Sequence, residues 1–180
     1  MTNRRERLVN HDGFELGQAR VSDVDELRRL HDGAEDDQHR AWLRIVVTVL
    51  KAFGSGDWRF VSTGPWTVKD RTGQVVGVVR MDDDGLSWLW FDPAVRRLGL
   101  ARWATATLAC LFFSARPGRQ AMRAMPPYSP SGTGLLLSLG FQHGPERMAL
   151  SRAEWKTRRV EWKKQLGVEW RGVVQAAVRS

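Results

Sequence analysis

Residues 91–102 read FDPAVRRLGLAR. A strand-like apolar run, LSWLWF (86–91), ends at an Asp-Pro step, and an apolar segment with helical spacing follows through about Ala115. Between them Gly99 and Ala101 sit two apart behind Arg96 and Arg97. A turn of small residues where a strand becomes a helix lets backbone N–H groups approach an anion. The first helical amides have no acceptor within the helix, and the helix dipole adds partial positive charge there. The stretch therefore predicts an anion seat on the backbone of residues 97–102, including Leu98 and Leu100, with Arg96, Arg97 and Arg102 adding charge at its rim.

Outward from this turn the chain alternates short strands and amphipathic segments. FELGQARV (14–21) reads as a strand, and the next residues put Val24, Leu27 and Leu30 on one helical face, with Ser22 and Asp25 spaced as a capping box. Leu43, Val46, Val47, Leu50 and Phe53 mark a second helix over 36–53, stopped by Gly54. Strands are expected at 58–62, 66–70 and 75–81, the last two joined as a hairpin through RTGQ. Beyond the turn follow a helix, a strand at 119–125, a helix at 131–139 and a strand from Phe141 to Leu150. A final amphipathic helix starts near Ser151, with Trp155, Trp162 and Leu166 on one face. The order predicts an α+β fold with a mixed, mostly antiparallel central sheet flanked by helices, and one extra C-terminal amphipathic helix.

Size and charge narrow the class. A chain of 180 residues forms one core and buries about 70% of the surface its unfolded form exposes. The single cysteine, Cys110, lies in an apolar segment and excludes an internal disulfide framework. ATATLACLFF (104–113) is too short to span a bilayer, and no apolar run follows the arginines at the start, so a soluble cytoplasmic protein with no membrane partner is expected. The net charge of +8 is uneven: residues 1–115 hold 16 Lys+Arg and 16 Asp+Glu, whereas residues 116–180 hold 12 and 4. A basic surface over 116–171, including Lys156, Arg158, Arg159, Lys163 and Lys164, suits either a nucleic-acid backbone or a solvated helix face.

The turn also carries a resemblance. Arg96, Gly99 and Ala101 have the spacing of the Arg/Gln-x-x-Gly-x-Gly/Ala acyl-coenzyme A signature, and FELGQARVSDVDELRRL resembles the first strand and helix of the same superfamily, the GNAT acetyltransferases. Ser129, Gly132, Leu135, Leu136, Gly140 and Phe141 are similar to its downstream motif Asn-x-x-Ala-x-x-Leu-Tyr-x-x-x-Gly-Phe. The resemblance covers residues 13–150, leaving 1–12 as a flexible start and 151–180 as a basic Trp-containing helix and tail, which could dock on the domain or on a second copy as a homodimer.

What the resemblance implies is transfer of an acetyl group from acetyl-coenzyme A to an amine-bearing acceptor. The pantetheine arm would lie between the 86–91 and 119–125 strands, with Leu89, Trp90 and Phe91 nearest the thioester. The superfamily's tyrosine that protonates the leaving thiolate is replaced by Leu136, so Tyr128, the only tyrosine, and Ser129 are the candidates for that role. Asp84, in the run Asp82–Asp84 before the 86–91 strand, is the candidate base, against its reading as a solvated turn; Asp92 stands at the far end of that strand. The missing tyrosine also leaves open a catalytically silent fold serving as a basic nucleic-acid-binding or structural module. His31 and His39 flank the first interhelical loop, where acceptors of the superfamily often enter, but no metal-ligand spacing is present. Of the nine tryptophans, Trp90 and Trp103 read as core, and Trp58 and Trp66 as a substrate wall or base-stacking surface.

Overall fold

The computed structural model describes residues 8–9, 12–34, 37–53, 64–126 and 129–168. The strand expected at 58–62, Gly54, Trp58 and Tyr128 fall outside the described residues. In chain order the elements are β1 (Leu8–Val9), β2 (Glu15–Gln18), α1 (Val24–Asp32), α2 (Asp37–Phe53), β3 (Gly64–Lys69), β4 (Val75–Met81), β5 (Gly85–Phe91), α3 (Leu100–Ala115), β6 (Ala121–Ala124), α4 (Pro130–Ser138), β7 (Gln142–His143), β8 (Met148–Ser151) and α5 (Arg152–Leu166). They build one eight-stranded sheet of order β1-β2-β3-β4-β5-β6-β8-β7. Every neighbouring pair is antiparallel except β5 and β6, which run parallel and are joined through α3.

Two layers cover the sheet. On one face α1 and α2 bury Val24, Leu27, Leu30, Leu43, Val46 and Leu50 against Val75, Val78 and Trp90. On the other, α3 lies over the sheet with α5 behind it, which is why α3 is buried without a break from Trp103 to Phe113. The C-terminal helix belongs to this core. Trp155 stacks on Phe113 with ring centroids 5.0 Å apart and donates Nε1–H to Cys110 Sγ at 3.4 Å, and Trp162 is fully buried in the same cluster.

Four local expectations change. Leu8 and Val9, in the segment expected to be flexible, pair with Leu16 and Glu15. Helix α1 starts after a 3-10 turn at Val21–Asp23, so Ser22 and Asp25 form no capping box; the buried Asp23 accepts from Arg20 N–H at 2.9 Å and pairs with Lys69 Nζ at 2.5 Å. The strand from Phe141 to Leu150 is broken in two because Gly144 N–H turns back to Arg147 C=O at 3.0 Å. Trp66 is no substrate wall: it is 2% exposed and lies in the core beside Val68 and Val79.

Candidate functional site

The site grows from the way β5 and β6 separate. They pair only at Gly85 with Arg123 and Leu86 with Ala124, followed by Met125 N–H to Leu86 C=O at 2.8 Å. Glycine is required at this crossing. Gly85 has φ +141°, and a Cβ there would stand 2.3 Å from the Arg123 carbonyl oxygen. Beyond Leu86 no further pairing joins the two strands, whereas β5 stays paired with β4 as far as Phe91. Ser87 to Phe91 thus present backbone groups to an opening at the C-terminal ends of two parallel strands, where open sheets bind ligands.

Ser87 also bulges. Arg80 lies opposite Trp88 and Met81 opposite Leu86, so Ser87 is the extra residue on β5, and its hydroxyl donates to Arg80 C=O at 3.1 Å. Bulges re-aim backbone next to active sites. Nothing in the sequence marks this one, because serine is unremarkable in a strand.

At the end of β5 the chain makes a fixed turn. Asp92 accepts from Ala94 N–H at 2.9 Å and faces Arg29 NH1 at 3.6 Å, while Arg96 Nε donates to the Phe91 carbonyl at 3.1 Å. Gly99, at φ +77°, is the N-cap of α3. The first helical bond runs from Trp103 N–H to Gly99 C=O at 3.0 Å, which leaves the amides of Leu100, Ala101 and Arg102 with no acceptor inside the helix. A Cβ built on Gly99 meets nothing within 4 Å, so the approach is open. Leu98 is 57% exposed at the mouth. Arg102, on the first turn of α3, has a shielded Nε with no hydrogen-bond partner among the described residues. An uncrowded helix start, an orphaned guanidinium nitrogen and an unpaired strand together fit a long ligand with a diphosphate in its middle and amides along its arm, as coenzyme A has.

Arg97 carries strain. Its φ is +77°, and it is the one non-glycine residue with positive φ among the described residues. The backbone there holds a conformation that glycine adopts without steric cost, while the residue is arginine.

The architecture agrees with solved structures. Neither a protein-family model nor a curated protein matches the sequence. A Bordetella pertussis protein named for the GNAT family of acetyltransferases superposes with a TM-score of 0.59 at 19% identity, covering 81% of this chain and 97% of its own. This chain has the GNAT fold. Mycobacterium smegmatis RimJ, solved with coenzyme A disulfide, is similar at a TM-score of 0.55 and 15% identity over 89% of this chain and 94% of its own. The spermidine/spermine N-acetyltransferase SpeG of Vibrio cholerae is similar at 0.56 and 12% identity over 81% and 98%.

Within this GNAT fold the expected site residues separate into two groups. Arg96 to Arg102 form the turn and first helical residues at the open end of β5, and Leu89 and Phe91 side chains pack toward α3 while Trp90 packs toward α1 and α2. Ser129 lies at the same end, following β6, as the N-cap of α4: its Oγ accepts from Gly132 N–H at 3.0 Å and lies 3.0 Å from Ser131 Oγ. Leu136 points into the core and is 2% exposed. Asp84 stands at the other end. It precedes β5 at the paired end, about 20 Å along the strand from Phe91 at the usual rise, and its carboxylate faces Arg119 at 3.5 Å and Arg147 at 3.8 Å. Asp82 caps the turn through the amides of Asp84 and Gly85, and Asp83 pairs with Arg116 at 2.8 Å.

Much of the basic charge is engaged locally. Besides those pairs, Arg158 meets Glu154 at 2.5 Å, and Arg152 donates to the Phe113, Arg116 and Arg119 carbonyls at the end of α3. Arg123, Lys156, Lys163 and Lys164 remain exposed. No helix among the described residues is long and apolar enough to cross a membrane, and no group of three metal-ligating side chains occurs there.

His39 was legible only as a loop-flanking residue. In the structure it lies on α2 against the open half of β5, with its ring centroid 5.9 Å from Trp88 and 6.3 Å from Trp90.

Proposed function

We propose that the protein is an N-acyltransferase that moves an acetyl group from acetyl-coenzyme A to an amine. The observation that carries the reading is the open start of α3 beside the unpaired half of β5. The amides of residues 99–102 and the Arg102 guanidinium bind the diphosphate, with Arg96 and Arg97 at the rim. The β5 backbone from Ser87 to Phe91 pairs with the amides of the pantetheine arm as an added strand would. When bound, acetyl-coenzyme A supplies an activated acetyl thioester and, once the amine nitrogen has bonded to the acetyl carbon, a thiolate leaving group.

The chain's own residues then handle two protons. His39, an imidazole beside Trp88 and Trp90, takes the proton released by the amine and returns it to solvent. Tyr128 or Ser129, adjacent in sequence after β6, gives a proton to the leaving sulfur and regains it from water. Tyr128→Phe and Ser129→Ala separate those two. Calorimetric titration with acetyl-coenzyme A, followed by release of free thiol in the presence of an amine, tests the whole reading. Binding with thiol release supports it, binding without release to any amine leaves a silent module, and no heat of binding refutes it.

A further inference from the structure

The face of β5 turned toward α2 carries a cluster that cofactor binding does not use. Trp88, on the open half of the strand, lies 6.2 Å from Trp42 with ring planes tilted by 23°, and His39 sits one helical turn before Trp42. His39, Trp42 and Trp88 all keep part of their surface exposed, whereas Trp90 beneath them is buried. Arg80, directly opposite Trp88 in the β4–β5 register, holds its guanidinium 5.1 Å above the Trp42 ring and is paired with no carboxylate among the described residues.

The sign of the charge selects among amines. A polyamine or lysine side chain needs carboxylates near its ammonium groups. Among the described residues, Asp92 and Glu26 face Arg29, and Asp37 faces Arg40. What the described residues leave is a half-exposed cluster of tilted rings with a guanidinium over one of them, complementary to a planar ring carrying negative charge.

We infer that the acceptor is an aromatic amine bearing a carboxylate or similar anion, its ring laid on His39, Trp42 and Trp88 and its anion toward Arg80. The inference rests on the acyltransferase reading for turnover, but not for binding. An acceptor of this class brings a weakly basic amine, which reaches the site already neutral and loses its proton as the N–C bond forms.

The test uses the full chain with 4-aminobenzoate, aniline and spermidine as probes. Calorimetry measures binding of each without cofactor, and thiol release measures turnover with acetyl-coenzyme A. 4-Aminobenzoate is expected to bind and to be acetylated with kcat/KM at least tenfold above spermidine. Arg80→Gln is expected to raise KM about tenfold for 4-aminobenzoate, leave aniline within twofold, and leave acetyl-coenzyme A affinity unchanged. Trp42→Ala should raise KM for both aromatic probes. Preference for spermidine, or equal effects of Arg80→Gln on 4-aminobenzoate and aniline, overturns the inference and leaves the acyltransferase reading intact. So does cofactor binding with neither heat nor turnover from 4-aminobenzoate. Arg80-dependent binding of 4-aminobenzoate by a protein that gives no heat with acetyl-coenzyme A upholds the docking surface and refutes the acyltransferase reading instead.

Discussion

Replacing Arg97 by glycine is expected to stabilise the protein while weakening its grip on the cofactor. Arg97 holds φ +77°, in the left-handed region, where an L-residue costs about 1–2 kcal/mol. Glycine removes that cost, but its freer unfolded chain returns about 0.4–1 kcal/mol of the gain. The net is a stabilisation of about 0.5–1 kcal/mol, which for a domain of this size corresponds to a rise in Tm of about 1–4 °C. Loss of an exposed rim charge removes about 0.5–1 kcal/mol of phosphate interaction, or roughly two- to fivefold in affinity. Scanning calorimetry and titration of acetyl-coenzyme A read the two effects on one pair of samples. Arg97→Ala is the control: it loses the charge and keeps the strained φ, so its affinity falls with no rise in Tm. A glycine variant that melts at or below the alanine variant would refute the strain reasoning.

Other outcomes follow from packing and titration. Burial pushes the Cys110 thiol from its ordinary value of 9.0 up to about 12, against the smaller opposing effect of the Trp155 hydrogen bond. The raised value means that the neutral thiol's contribution to stability is present below pH 9 and is lost as pH rises toward 12; Cys110 should therefore resist thiol reagents at pH 8 until the protein is unfolded. Truncating the buried Trp162 to alanine should cost about 3–5 kcal/mol in chemical denaturation, because α5 is part of the main core. Asp84→Asn should leave kcat/KM within about twofold, whereas His39→Gln should lower kcat by about a hundredfold or more. The reverse pattern would return the proton to the carboxylate.

The sequence made local matters plain and left tertiary ones hidden. The turn at 96–101 was readable because arginine, glycine and alanine at a strand-to-helix junction each answer to a backbone constraint, and Gly99 does cap α3. Helix α2 was readable from its spacing, with Leu43, Val46 and Leu50 buried as expected. The divergence of β5 from β6 was inferred only through resemblance, since no residue periodicity encodes where two strands part. The Ser87 bulge has no signature at all. Asp84 was chosen for nearness in sequence to β5, which says nothing about which end of a seven-residue strand faces the chemistry. Trp66 was read as a substrate wall or base-stacking surface, yet β3 starts at Gly64 and carries it into the core. Arg97 was readable as rim charge, but the strain at its backbone emerged only with the φ angle.

The most direct measurement is titration of acetyl-coenzyme A into the wild-type chain and into Gly99→Ala, whose added Cβ would stand in the open space at the start of α3. Saturable binding by the wild type and affinity at least tenfold weaker in the variant, which should remain folded, is the result expected. Absence of binding by the wild type, or equal affinities in the two proteins, would show that the diphosphate does not sit on these amides.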